Sequence, residues 1–329
     1  MTEVHDFCNI RCEVDTPALM RSVAKLLDEN YEKSQSYSWN IYLEKHASPE
    51  QKYLPALGRV GTGTRQDANI EVAWKFFLRF DCIFQFTARQ RQSEKENVLL
   101  NTVYAKLRSL EVRADVHARA MLWHFVYAEA KARTNSQNSG HMSQVELIDL
   151  LKCLWDLGAD LKRLSLRDIL RKFEKDDVFP SDERMNRWRE YRANKRLNSK
   201  AGEPIIILHR YATDKILMRN EFVLPDHERE TYEILLRKCL EEFGESIQTS
   251  LKRTYCKFLS NVEGCDGGIT KQIQDPNWEE VAKHALPTND LCESIFGLVR
   301  KEIYIMNIYI YIYIFVSVNI SLLLVFILL

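Results

Sequence analysis

Between Gly63 and Gly140 the chain contains no glycine, and between Pro55 and Pro180 it contains no proline. These two residues are the strongest interrupters of a helix: glycine costs backbone entropy, and proline lacks an N–H and clashes with the preceding turn. A stretch without either can run as long helices. The apolar spacing agrees, since Leu99, Val103, Leu107 and Leu110 share one helical face, and Val116, Ala120, Trp123, Tyr127 and Ala130 share another. The preceding NIEVAWKFFLRFDCIFQF is apolar enough for a buried helix, although period alone leaves strand pairing open in FDCIFQF.

Signals elsewhere point the same way. At DTP, Asp15 or Thr16 can cap and Pro17 suits a first turn, after which Leu19, Met20, Val23, Leu26, Leu27 and Tyr31 line one face. Ser143 can cap VELIDLLKCLWDLG, whose leucine stripe ends at Gly158, and LSLRDILRKF follows as a short helix. DHERETYEILLRKCLEEFG and ESIQTSLKRTYCKFLSNV read as two helices separated by Gly244. PIIILHRY, from Pro204 to Tyr211, is the one compact β-like run and is too isolated to predict a sheet. The expected fold is mainly α: a multi-helix globular body with at most a small β element, plus a C-terminal hydrophobic helix. Polar ARTNSQNSGH, at 132–141, divides an N-terminal helical domain, 1–135, from a C-terminal helical region, 142–302. No repeat of fixed period favours a solenoid.

The 46 basic and 46 acidic residues cancel, so any nucleic-acid site is local rather than a field over the whole surface. Eight scattered cysteines behind a charged, polar N-terminus read as reduced thiols of a cytosolic or nuclear body. His5, Cys8 and Cys12, and Cys256, Cys265, His284 and Cys292, lack the paired spacing of a zinc site, and no metal ligand set is assigned. GRVGTGTR, from Gly58 to Arg65, lacks the Gly-Lys-Ser/Thr ending of a phosphate loop and reads as a turn.

The most specific stretch is LPTNDLCESIFGLVRK. It makes an ordinary helix start: Pro287 stops the preceding segment, Thr288 or Asn289 caps, Asp290 and Glu293 favour the positive end, and Leu291, Ile295 and Leu298 face inward. Residues 287–297 also resemble the Pro-x-Asn-Asp-x-x-Glu-x-x-Phe-Gly block near the end of the catalytic core in transposase-like proteins of eukaryotic DNA transposons. The resemblance implies a ribonuclease-H-like fold in which Glu293 takes the place of the last acid of an Asp-Asp-Glu site. Two further carboxylates on adjacent strands would then hold two magnesium ions about 4 Å apart. No alternating strand with a central aspartate is legible upstream, and Asp81, the nearest, sits in a helix-like context. The resemblance therefore implies a fragment or decayed copy, a transposase-like remnant without intact catalysis.

The second candidate is the basic helix 181–198. Arg184, Arg187, Arg189, Arg192, Lys195 and Arg196 can meet phosphates, and Trp188 and Tyr191 can stack on bases. The alternative is a solvated face anchored by Trp188, with Glu183 and Glu190 diluting its charge.

From Ile303 to Leu329 the chain carries no charge, and Ile308 to Ile314 alternates isoleucine and tyrosine. As a helix this segment would reach about 40 Å, more than the roughly 30 Å of hydrocarbon in a bilayer. Arg300 and Lys301 in front of it predict a single-pass membrane protein with residues 1–302 cytosolic, which gives a second functional class: a tail-anchored interaction protein without catalysis. In water the same alternation is an aggregation hazard. Tyr-Ile repeats are also what a TATATA repeat encodes, so a third expectation is that 299–329 is read-through into noncoding DNA behind an intron donor.

Overall fold

The structure, a computed structural model, describes residues 16–27, 35–54, 57, 67–128, 130, 144–175, 178–179, 210–219 and 224–273. All of them fall within one unit, Thr2–Ala285. Among the described residues every regular element is helical, in agreement with the mainly α expectation.

Helix α1 (Thr16–Leu27) buries Leu19, Met20, Val23 and Leu26, the face its spacing predicts. After α2 (Ser36–His46) comes the short α3 (Pro49–Tyr53), opened by a capping box. Ser48 accepts from the N–H of Gln51 while the Gln51 side chain accepts from that of Ser48. The apolar run NIEVAWKFFLRFDCIFQF forms two helices, α4 (Asp67–Leu78) and α5 (Phe80–Ser93), so FDCIFQF is helical and not a strand. The break falls at Arg79 (φ −102°, ψ 5°), whose guanidinium donates to the carbonyls of Gln51 and Leu54 at the end of α3. Arg79 thus satisfies carbonyls that a helix terminus leaves orphaned, and the bend brings it there. Burial pushes its pKa down to about 10.

Asn97 and Ser109 cap α6 (Val98–Leu107) and α7 (Leu110–Leu122). Helix α7 lies at the centre, with every residue from Ala114 to Leu122 buried, because α4, α6 and α1 pack on it from one side and a long C-terminal helix from the other. A π-helical turn, Trp123–Tyr127, continues it. Beyond come α8 (Gln144–Arg163), α9 (Leu166–Glu174, capped by Ser165), a helical stretch at 210–216, α10 (Asp226–Tyr255), a 3-10 turn (Cys256–Phe258) and α11 (Gly268–Ile273). Helix α10 packs against both α7 and α8, and buried apolar side chains from Leu19 to Leu259 form one cluster.

Two helix boundaries differ from the sequence expectation, and they have one cause. Helix α8 runs through Gly158 to Arg163, and α10 runs unbroken through Gly244. The two glycines face each other where the helices cross. A Cβ on Gly244 would stand 2.6 Å from the carbonyl oxygen of Gly158, and one on Gly158 would stand 3.0 Å from that of Gly244. Glycine here permits close backbone approach instead of ending a helix. Arg237, one face further up α10, donates to the carbonyls of Leu164 (2.8 Å) and Lys162 (2.9 Å) and so closes the C-terminus of α8.

Residues 204–209 of the β-like PIIILHRY lie outside the described residues, and its last two, Arg210 and Tyr211, open the 210–216 helix. Among the described residues no helix is long and apolar enough to cross a membrane; 303–329 is not among them.

Candidate functional site

Glu293 and the whole basic run, Arg184, Arg187, Trp188, Arg189, Tyr191, Arg192, Lys195 and Arg196, lie outside the described residues. The same holds for His5, Cys8, Cys12, His284 and Cys292. Among the described residues no three His, Cys, Asp or Glu side chains are grouped so as to hold a metal ion. Two polar constellations that no motif announced stand out instead.

The first is buried. Asp81 on α5 receives a hydrogen bond from Lys215 at 2.8 Å and another from Arg113 at 2.9 Å, one on each carboxylate oxygen. Lys215 is only 2% exposed and also donates to the carbonyl of Leu78 at 3.3 Å. Beside them His117, on α7, lies flat on Phe77 with centroids 4.2 Å apart. Its Nε2 is 2.7 Å from the carbonyl of Ile216, and its Nδ1 is 2.9 Å from the hydroxyl of Tyr232 on α10. A carbonyl can only accept, so Nε2 carries the hydrogen and Nδ1 accepts from the tyrosine. Burial pushes this imidazole down to about 3, with Arg113 and Lys215 adding to the shift, and it pushes the Tyr232 phenol up. Neutral histidine and neutral tyrosine therefore join α7, the 210–216 helix and α10. A second buried pair on α7, Arg119 and Asp115 at 3.0 Å, places the guanidinium over the ring of Phe243.

The Asp81 carboxylate, the Lys215 ammonium and both His117 nitrogens are turned toward protein partners, in the manner of a clamp rather than a reactive centre. What it clamps is the 210–216 helix, tied further by Tyr211 donating to the carbonyl of Leu78 (3.3 Å) and by His124 bonded to Thr213 (3.0 Å).

The second constellation is open to solvent. A cleft of about 370 Å³ lies between α9, the turn at 217–219 and the start of α10. Leu166, Leu170, Leu217 and Met218 line it together with Arg167, Arg171, Arg219 and Arg229, and with Glu174 and Glu233. Met218 is held at φ 57°, the left-handed conformation that caps the 210–216 helix, with Arg219 N–H bonded to the carbonyl of Asp214 at 2.8 Å. A methionine in that position is strained, and strained backbone gathers at working surfaces. Arg219 is held by Asp214 at 2.9 Å and by Glu174. Among the described residues Arg171 and Arg229 make long pairs, at 3.7 Å to Asp168 and 3.6 Å to Glu233. Exposed Arg167 has no ion-pair partner among the described residues. Four guanidiniums around an apolar floor suit an anionic group with a flat apolar part.

The chain matches no protein-family model, no curated protein and no solved structure. Function has to be argued from these two constellations and the motifs.

In the sequence the basic run was visible as composition, whereas the cleft draws on residues from 166 to 233 and has no local signature. The buried cluster left one trace: DVHAR places Asp115, His117 and Arg119 at alternate positions of the stretch Ala114–Leu122, whose other residues are all apolar, which only internal pairing permits.

Proposed function

We propose that the chain is a transposon-derived, transposase-like protein whose helical body contacts DNA without cutting it. The observation that carries the contact is the arginine-lined cleft. It is built from α9 and the 217–219 turn, and the chain between these two elements is the stretch that holds Arg184, Arg187, Arg189, Arg192, Lys195 and Arg196. A local gathering of arginines, outnumbering Glu174 and Glu233 around the cleft, inside a chain of balanced charge is the kind of surface that tracks phosphates.

The transposon origin rests on PTNDLCESIFG, with Glu293 as the remnant of the last acid. Catalysis would require two more carboxylates at Glu293 and magnesium between them. Asp81, the nearest upstream candidate, gives both of its oxygens to Lys215 and Arg113 and is unsuited to hold a cation.

Fluorescence anisotropy with labelled duplex DNA tests the reading. Affinity is expected to fall steeply with salt, and to fall at least about tenfold when Arg184, Arg187, Arg189 and Arg192 are changed together to alanine. Magnesium is expected to produce no strand cleavage. A wild-type chain that does not bind duplex at low salt overturns the DNA contact, and a variant that binds as well as wild type removes the basic run from it.

A second reading is favoured by the uncharged run 303–329 behind Arg300 and Lys301: a tail-anchored membrane protein with a cytosolic helical interaction body. It predicts membrane association that resists carbonate extraction and disappears on truncation at Arg300. Transcript reads that splice out the AT-rich segment would remove it.

A further inference from the structure

At the far end of α10 the chain makes a tight loop around two thiols. Cys256 opens the 3-10 turn, and its thiol donates to the carbonyl of Gly264 at 3.4 Å, the residue directly before Cys265. The Cys256 thiol therefore rests against the peptide unit that carries Cys265. Both thiols are free and half-buried.

The loop is built to keep them there. Cys265 N–H bonds to the carbonyl of Val262 at 2.9 Å, and Gly267 N–H reaches the carbonyl of Cys256 at 3.4 Å. Gly264 and Gly267 take φ values of 78° and 57°, which glycine adopts without strain. Gly267 is also pressed on Ser260: an added Cβ would stand 2.3 Å from its Cα. Thr270, on α11, donates to the carbonyl of Phe258 at 2.6 Å and ties the loop to the next helix. Lys252, one turn up α10, brings its ammonium beside Gly264, where a Cβ would lie 3.2 Å from it. A cation there favours the thiolate that begins disulfide exchange.

We propose that Cys256 and Cys265 form a redox-responsive pair that closes into an intramolecular disulfide under an oxidised small-molecule disulfide such as glutathione disulfide. The steps balance. One protein thiol gives up its proton, and the thiolate attacks a sulfur of glutathione disulfide, releasing one glutathione and forming a mixed disulfide. The second thiol, deprotonated in turn, attacks the protein sulfur of that bond and releases the second glutathione. The two protein thiols are oxidised by two electrons and glutathione disulfide is reduced by two. Burial pushes the Cys265 thiol up, and the Lys252 ammonium draws it back toward the thiolate. Either thiol can open the exchange and the other resolve it, and the bond staples the end of α10 to the chain that leads into α11.

The test uses the full chain in glutathione buffers of increasing oxidation, with free thiols alkylated and peptides mapped by mass spectrometry. The expected product is a single peptide pair linked through Cys256 and Cys265, formed without lasting glutathione adducts at either position. In Cys265→Ser the mixed disulfide on Cys256 is expected to persist, because its resolving partner is gone. In Cys256→Ser the mixed disulfide on Cys265 is expected to persist for the same reason. Stable glutathione on both cysteines of the wild type, or pairing of either with Cys153 or Cys239, overturns the proposal. Circular dichroism of the two serine variants confirms that the fold compared is the same.

Discussion

Helix α10 is held by opposite means along its length. Toward its start, Tyr232 bonds to His117 and Arg237 reaches the carbonyls that end α8, so attachment there depends on directed hydrogen bonds. Further along, Gly244 meets Gly158 with nothing between the backbones, and the closeness of the crossing depends on shape, with Gln248 adding hydrogen bonds to the Trp155 carbonyl and from Lys162 one turn on. The polar end fixes which groups must meet, since a missing partner leaves a buried group unpaired. The glycine end fixes how near the helices come, since any side chain intrudes on a carbonyl. Substitutions should therefore hurt by removal at one end and by addition at the other.

The largest effect is expected beside that polar end, in the cluster that ties the 210–216 helix to α5 and α7. Asp81→Ala leaves Lys215 buried without its carboxylate and should cost about 3–5 kcal/mol in urea unfolding, the range for breaking a buried pair. Lys215→Met, which leaves Asp81 with Arg113, should cost under about 1.5 kcal/mol. Equal losses in the two variants would refute an asymmetric clamp.

At the glycine end Gly244→Val should cost about 3 kcal/mol, the upper range for overpacking. Gly244→Ala gains about 1 kcal/mol of helix propensity against a clash with the Gly158 carbonyl and Leu161, and should still lose about 1–2 kcal/mol. Gly158→Ala should lose less, because the carbonyl it meets, that of Gly244, stands at 3.0 Å rather than 2.6 Å, although Gln248 must give up its place against α8. A Gly244→Ala protein as stable as wild type would show that the crossing is loose.

The histidine adds a pH dependence. Its folded pKa of about 3 lies below the ordinary imidazole value, so the unfolded chain binds the extra proton first as pH falls. The stabilisation from neutral His117 is whole above about pH 6.5 and declines toward about pH 3, by on the order of 1 kcal/mol per pH unit. His117→Asn should flatten that acid limb even though it lowers stability at neutral pH, and an unchanged slope would locate the acid sensitivity elsewhere.

The smallest effect is expected at the cleft. Met218→Gly relieves the left-handed backbone and should stabilise by up to about 1 kcal/mol. A loss instead would mean that the Met218 side chain contributes more by packing than its backbone costs.

Local pattern made the helices and their faces legible, because period and capping act within a few residues. Leu19, Met20, Val23 and Leu26 are buried as their spacing indicates, and Ser165 caps α9 in front of the helix expected there. Glycine was ambiguous for a physical reason: the same lack of a Cβ that weakens a helix also permits contact, and only a partner decides between them. Gly158 and Gly244, read singly, look like terminators; facing each other, they are a crossing point. For the site, the basic run could be seen as composition, whereas Arg167, Arg219 and Arg229 share a cleft only because the 217–219 turn folds between α9 and α10.

By itself, then, the sequence determined a helical chain, its buried stripes and a motif that contains Glu293, all of which arise from residues close along the backbone. Tertiary structure decided the pairing of Asp81 with Lys215, the neutral state of His117, the approach of Gly158 to Gly244 and the gathering of arginines. Those depend on distances between residues far apart in the chain, and burial strengthens both the pairing of charges and the cost of leaving them apart.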